Sequence, residues 1–487
     1  MDLNLKTLLR IIGKLLIITG TVMVLPFFVA LIYGETEAAK DFIAVIAPSV
    51  FTGAMISLLA PHSHRPLKMR DGFLIVSISW LIMSLLGAVP FVINGCIPNF
   101  IDAFFEMCSG FSTTGATILK NIEALPMSML FWRAFTHWIG GMGILVFAIA
   151  LLPNLGIGGQ TIVRAETPGP TLSKVTPKMK DMARSLYLIY TGFTLIETLL
   201  LMAGGLSFFD AITHSFSTMG TGGFSNYNDG AAHFHSAYVE GIITVFMILA
   251  GANFNLYYIA LKKQVHVLVH DQEFRLYIFI IGVTTLMMTL HLYFTHTFDT
   301  LASSFRYAVF QDASIITTTG FATTDFNLWP TFCIMVLFLL FFIGGCSSST
   351  AGSIKVIRIL VLLKLFKRSV SMKLHPKALF SIKVNDQPLP SDTIQNIISF
   401  VFLYIVTVIG VTLITLLDGV SITTGLSATA SCLGNIGPGF DAVGPVLNYD
   451  LFSYPVKLVL SFAMIAGRLE LFTLMMLFSR RFWNPAH

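Results

Sequence analysis

The chain has 487 residues, 55% of them hydrophobic and only 11% charged, with a formal net charge of +5 and a mean hydropathy of +0.79. This composition excludes an ordinary soluble domain of that length, leaves no water-soluble half, and makes the bilayer the solvent. Five cysteines, at positions 96, 108, 333, 346 and 432, are odd in number and lack metal-ligand spacing, which argues against a disulfide framework.

Lys6, Arg10 and Lys14 precede an apolar run to Tyr33 that is long and has no small-residue cleavage site, so it reads as a retained first helix. Crossing the hydrocarbon takes about 20 apolar residues. Spanning helices are expected at 12–33, 41–60, 72–94, 127–152, 184–205, 238–261, 275–295, 329–366, 394–417 and 455–478. The expected fold is an all-α polytopic membrane protein with ten spans and both termini on one side. The loops at 61–71, 153–184, 262–275 and 367–393, the termini and the 355–364 stretch hold 24 of the 30 Lys and Arg residues, which marks that side as cytoplasmic. The opposite loops carry 15 acidic residues, among them Asp102, Glu106, Asp210, Asp229, Asp312, Asp325 and Asp441, against Lys40, Lys120, Arg133, Arg306 and Lys457. An outer surface of that sign concentrates cations.

Between alternate pairs of spans, on the outer side, lie four segments too short to cross and too apolar to be ordinary loops. They align as Ser109–Ala116 (SGFSTTGA), Ser217–Phe224 (STMGTGGF), Ser314–Phe321 (SIITTTGF) and Ser431–Pro438 (SCLGNIGP). Each reads Ser, two residues, a small residue, Thr or Asn, one residue, then Gly. Upstream, Asp102-Ala103 and Asp210-Ala211 fall at the same offset and Ala308 aligns with both alanines; downstream, the second helices carry Gly141, Gly251, Gly345 and Gly467. Each repeat is therefore helix, short re-entrant helix, Gly/Thr loop, helix. The chain divides into an N-terminal helix pair at 1–60 and repeats at 61–155, 156–265, 266–383 and 384–487, the third with a broken second helix.

Irregular backbone at membrane depth is tolerated only where protein buries it or where it lines a watery cavity, and four loops converging on one axis meet that condition. Glycine permits conformations closed to other residues, so carbonyl oxygens can turn inward and replace an ion's lost water. Thr and Ser hydroxyls add oxygen ligands. Each short helix also aims its C-terminal end, roughly half a negative charge, at the axis. Such oxygen rings suit an alkali cation.

These four Gly-centred loops in one polypeptide, with an extra N-terminal helix pair, resemble the Trk/Ktr/HKT superfamily of potassium transporters, specifically its bacterial TrkH type. The resemblance implies a potassium uptake protein, not an enzyme, of the bacterial cytoplasmic (inner) membrane, with potassium as the transported ion. The filter it implies comprises Phe111, Ser112, Thr113, Thr114 and Gly115; Met219, Gly220, Thr221, Gly222 and Gly223; Ile316, Thr317, Thr318, Thr319 and Gly320; and Leu433, Gly434, Asn435, Ile436 and Gly437. In plant relatives a serine at the first filter glycine accompanies sodium preference, whereas Gly115, Gly223, Gly320 and Gly437 are all glycine here. The fourth loop departs from the pattern, with Asn435 where the others have Thr113, Thr221 and Thr318. The resemblance also implies a homodimer with one pore per protomer, cytosolic TrkA-type subunits that bind NAD and ATP or ADP, no nucleotide bound by this chain itself and no nucleic acid.

The stretch from Trp329 to Phe366, as one straight helix at 1.5 Å per residue, would be on the order of 55 Å long, nearly twice the hydrocarbon core. It must break at Gly344, Gly345, Cys346, Ser347, Ser348, Ser349, Thr350, Ala351, Gly352 and Ser353, small residues tolerated there if they face water. Together with the resemblance, this makes the run a candidate plug below the filter. Arg468, near the middle of the last span, is expected to face the pore and to act with the plug as a gate, because an unpaired charge there costs about 3 kcal/mol or more. Glu470 is two residues away and does not offset it along a helix. Glu197, inside the fifth span, is a weaker candidate for a proton site. No GxxxxGK[ST] loop, HExxH or spaced Cys/His set is present to hydrolyse ATP or hold a catalytic metal. A gated potassium channel is the leading reading, a potassium symporter coupled to protons or sodium the second, and an intramembrane enzyme, without a paired acid/base set, the third.

Overall fold

The computed structural model describes residues 5–60, 68–143, 179–262, 265–377 and 380–483; much of the loops expected at 61–71 and 153–184, and the end of the 127–152 span, lie outside them. Among the described residues the regular structure is helical apart from one two-stranded hairpin, Lys383–Val384 against Gln387–Pro388. Among the described residues, six helices are each long and apolar enough to cross a bilayer: Lys6–Ile32, Thr36–Leu59, Arg70–Asn94, Arg184–Ala203, Gln272–Phe294 and Ser391–Asp418. Large apolar side chains such as Leu199, Phe279, Phe402 and Leu413 are exposed on them, as a lipid-facing surface requires.

Four of the other expected spans differ from straight rods. The helix expected at 238–261 is two, Ala237–Gly251 and Phe254–Leu261, bent by 92°. The Gly251 carbonyl there accepts the Cys346 N–H at 2.8 Å, and the Asn253 side chain caps the second piece through the Asn255 N–H. The last span is likewise two, Tyr454–Arg468 and Phe472–Phe478, bent by 115°, with Glu470 and Leu471 both at φ 55°. Met127–Gly141 is a short helix and Thr331–Leu340 a short apolar one that ends before Phe341; after it the chain becomes helical again only at Val356–Leu374.

Four short helices, Phe100–Phe111, Phe208–Met219, Leu301–Ile316 and Ile422–Gly434, sit between the long ones. Each starts at a side chain that accepts from its own first-turn N–H groups: Asn99, Ser207, Thr300 and Ser421. Asn, Ser and Thr are preferred at that position for this reason. Each of three also packs against the second helix of the preceding repeat: 208–219 on 127–141, 301–316 on 237–251, and 100–111 on 454–468. The third of these joins the last repeat to the first. The N-terminal pair lies against the first repeat, and its two helices cross closely at Gly13 and Gly53, where a Cβ on Gly53 would stand 2.6 Å from the Gly13 carbonyl oxygen.

Several charges read as outer-loop residues are buried. Arg133 donates from Nε to Glu106 Oε1 at 2.9 Å and holds Nη2 2.8 Å from the same oxygen as an ion pair, and both side chains are essentially inaccessible. Glu106 also accepts from the Thr117 hydroxyl and the Ile118 N–H, each at 3.0 Å. Lys457 is buried between Asp102 at 2.7 Å and Asp450 at 3.0 Å, and Asp312 is buried under the hydroxyls of Thr284 and Thr285. The acid excess is thus partly consumed in ties between helices, because a charge leaves water only when paired and hydrogen-bonded.

Breaking one side of such a pair strands the other. Arg133→Met is expected to destabilise the protein by about 3–5 kcal/mol, with Glu106→Gln added to it recovering part of the loss. Thermal unfolding of the purified chain in detergent checks both variants.

Candidate cation filter and intramembrane loop

The four short helices end alike. The N–H groups of Thr114, Gly222, Thr319 and Ile436 return to the carbonyls of Ser109, Ser217, Ser314 and Ser431 at 2.8–2.9 Å. The residues between, Thr113, Thr221, Thr318 and Asn435, are left-handed, with φ of 56°, 53°, 55° and 56°. This is the helix-ending geometry usually assigned to glycine. A β-branched residue held there costs on the order of 1–3 kcal/mol, strain of the kind found at functional sites. Asn tolerates the left-handed region better than Thr, so the departure at Asn435 keeps the backbone of its three counterparts.

After each of these residues the chain reaches its filter glycine, and the four glycines form a closed ring. A Cβ on Gly115 would lie 2.0 Å from the Gly222 carbonyl oxygen, one on Gly223 2.1 Å from that of Thr319, one on Gly320 2.0 Å from that of Ile436, and one on Gly437 2.7 Å from that of Thr114. In every case the carbonyl belongs to the residue just before the next repeat's glycine, and the fourth step returns to the first. Each glycine is also at positive φ, between 73° and 105°. The four line a shared cavity of about 110 Å³, whose walls also include Thr117, Tyr227 and Asn228. Near lining residues Val443 and Tyr449 in sequence, Asp441 stays below the usual carboxylate range through bonds from the Ser421 and Thr424 hydroxyls, and Asp450 does so chiefly through Lys120. Both remain negative at neutral pH.

The filter hydroxyls are less free than expected. Ser112 is bonded to Thr114 at 2.7 Å and Thr317 to Thr319 at 2.8 Å. The Asn435 amide donates to the Thr114 hydroxyl and to the Met464 carbonyl, both at 2.9 Å, joining the fourth loop to the first. Ser314 and Ser431 donate to the carbonyls of Phe321 and Gly437. These side chains brace the loops, while the Thr113 hydroxyl and the Asn435 amide oxygen have no hydrogen-bond partner among the described residues. The second-helix glycines admit close packing behind them: a Cβ on Gly140 would meet the Phe111 oxygen at 1.8 Å, and one on Gly467 the Leu433 oxygen at 2.0 Å.

Residues 344–353 lie directly beside the ring. The Gly352 N–H donates to the Thr318 hydroxyl at 2.7 Å, and a Cβ on Gly352 would be 2.3 Å from the Gly434 carbonyl oxygen. Most of the run is buried in protein instead of facing water, and its backbone is bonded to neighbours: Gly344 to Ile354, Cys346 to Gly251, Ser348 to Phe254. Arg468 is the last residue of its helix. Its guanidinium donates to the Thr350 carbonyl at 2.5 Å and to those of Gly140 and Gly141 at 2.7 and 2.6 Å, so it ties the run to the first repeat. Glu470 turns away and pairs with Arg358.

Lys355 was not expected here: it is buried and donates to the Ala351 carbonyl and, at 3.4 Å, to the Ser349 hydroxyl, a second cation on the loop. Glu273 was also missed; it bonds Ser347 and Ile357. The sequence signal for each was a charge beside an apolar run, which does not name a partner. Glu197 is fully buried beside Thr218 of the second short helix and does not reach the ring.

The family described as TrkH, cation transport protein, matches residues 37–484. The Trk system potassium uptake protein TrkH of Halomonas elongata is 36% identical over 99% of this chain and 100% of its own length, and that of Vibrio parahaemolyticus is 38% identical over 98% and 99%. The crystal structure of the potassium transporter TrkH from Vibrio parahaemolyticus superposes with a TM-score of 0.88 at 37% identity, covering 99% of this chain and 100% of that one.

Gly115→Ser places a Cβ where the Gly222 carbonyl oxygen now stands, at a φ of 83°. The expected outcome is a fall of about tenfold in potassium over sodium flux in reconstituted vesicles, with the ring displaced and the helices intact.

Proposed function

Because the chain belongs to the TrkH family of cation transport proteins, we propose that it takes up potassium through the ring of Gly115, Gly223, Gly320 and Gly437, with residues 344–353 and Arg468 as the gate. The protein is an integral membrane transporter and not an enzyme. The closed ring carries the reading. Four strained loop ends present backbone oxygens around one opening, and an alkali ion can exchange its water for that cage. The filter comprises the loops from Phe111, Met219, Ile316 and Leu433 to their glycines. Potassium is the ion because all four positions keep glycine, as the relatives named for potassium uptake suggest.

The gate reading rests on position and charge. The run 344–353 sits against the Thr318 and Gly434 ends of the filter, and Arg468 and Lys355 hold its carbonyls. Positive groups there repel an ion leaving the ring until the run moves aside. The helix pair at 1–60 flanks four repeats at 61–155, 156–265, 266–383 and 384–487. We place the chain in a bacterial inner membrane with both termini cytoplasmic, as a homodimer with a pore in each protomer. The relatives are named as parts of a Trk system, which fits control by a cytosolic, nucleotide-binding TrkA-type partner, this chain binding no nucleotide itself. Exposed Lys367, Lys373 and Lys377 supply a basic docking surface. The symporter alternative draws on Glu197, buried beside Thr218. Vesicles in which potassium is the sole permeant cation separate the two, since a channel needs no coupling ion.

Arg468→Ala removes three bonds between the run and its surroundings. Potassium flux in vesicles is expected to rise about tenfold, bonds to a charged donor being worth about 1.5–3 kcal/mol each. Flux at or below the parent level, with normal insertion, would remove Arg468 from the gate.

A further inference from the structure

We propose that Glu273 is the latch of the 344–353 run, a positioning residue that holds both ends of the loop closed. The proposal rests on reading that run as the gate. Glu273 lies in the first turn of Gln272–Phe294 and is 3% exposed. Its Oε1 accepts the Ser347 N–H at 2.5 Å and the Ile357 N–H at 3.1 Å, and its Oε2 accepts the Ser347 hydroxyl at 2.6 Å. Ser347 stands near the start of the run and Ile357 just past its end. One carboxylate therefore pins the segment where it enters and where it leaves.

A first-turn acid ordinarily serves its own helix, either by capping or through the helix dipole. Here Asp271 is the cap, its side chain accepting the Phe274 N–H at 2.8 Å, and all three bonds of Glu273 run to the other segment. Two backbone bonds also join the run's ends to each other, from the Gly344 N–H to the Ile354 carbonyl at 2.9 Å and from the Val356 N–H to the Gly345 carbonyl at 3.1 Å; Glu273 adds to them a side chain from another helix that holds Ser347 and Ile357 together. Opening must break the carboxylate's grip on at least one side. The adjoining residues Asp271 and Gln272 are themselves held by Asn385, in the turn of the 383–388 hairpin, at 2.7 and 3.0 Å. The latch is thus two residues from an exposed contact on the charged face.

The test is potassium flux through the reconstituted full chain, with Arg468→Ala run alongside. Glu273→Ala loses all three bonds and is expected to raise flux about tenfold with the potassium-to-sodium ratio unchanged. Glu273→Gln keeps an oxygen for both backbone N–H groups and an amide for the Ser347 hydroxyl, so its flux stays within about twofold of the parent. A general loosening of the fold would lower the ion ratio as well, and that result overturns the latch. So does a Glu273→Gln variant as leaky as the alanine. If Arg468→Ala raises flux and Glu273→Ala does not, the latch fails while the gate stands; if neither does, the gate reading fails first. Should Glu273→Ala not reach the membrane folded, Ser347→Ala decides: a rise of about two- to threefold supports the latch, and parent-level flux overturns it.

Discussion

Everything in this molecule is arranged around the requirement that four stretches of non-helical backbone touch one another deep inside a membrane protein. Such backbone has no water to satisfy it, so every N–H and carbonyl must be bonded, packed against protein or turned toward an ion. The ring meets the requirement by leaving out the β-carbon where strands of different repeats meet. Carbonyl oxygens of Gly222, Thr319, Ile436 and Thr114 occupy the space a side chain would take on the preceding glycine. The capped short helices, the identical returns to Ser109, Ser217, Ser314 and Ser431, and the glycines behind them all follow from holding those contacts in register.

Electrostatics then differs between the ring and the run beside it. The helix C-terminal ends and ring carbonyls place partial negative charge at the ring. Immediately inward, Arg468 and Lys355 press on the carbonyls of Thr350 and Ala351. The Arg468 guanidinium donates to three backbone carbonyls, and the Lys355 ammonium to one carbonyl and to the Ser349 hydroxyl. Elsewhere charges are cancelled in full, as with Arg133 and Glu106.

Much of this could be read from letters alone. The fourfold pattern was legible because left-handed residues and filter glycines impose spacing on the sequence: Ser, then four residues on Thr or Asn, then two more to Gly. The break near Gly344 was legible from length. The bends at 251–254 and 468–472 were not, since apolar residues such as Phe254, Leu256, Leu471 and Phe472 continue the hydropathy across them, and only tertiary bonds to Cys346 and Thr350 reveal the turn. Hydropathy likewise could not distinguish a solvated acid from a buried one, so Glu106 and Asp312 were assigned to the surface. Lys355 and Glu273 carry no local motif. Their partners lie in three-dimensional neighbours, 84 residues away in the case of Glu273 and Ile357.

The closed ring is covalently one molecule, with its quarters coded separately. An assembly of four identical subunits must accept each substitution four times over, so a change that suits one wall is imposed on all. Here each wall can drift alone. Asn435 is an instance, an amide that keeps the common backbone while reaching across to Thr114 with a bond none of its counterparts makes. A single gene can thus vary one quarter of its ring at a time, and it is the third quarter that carries the run at 344–353.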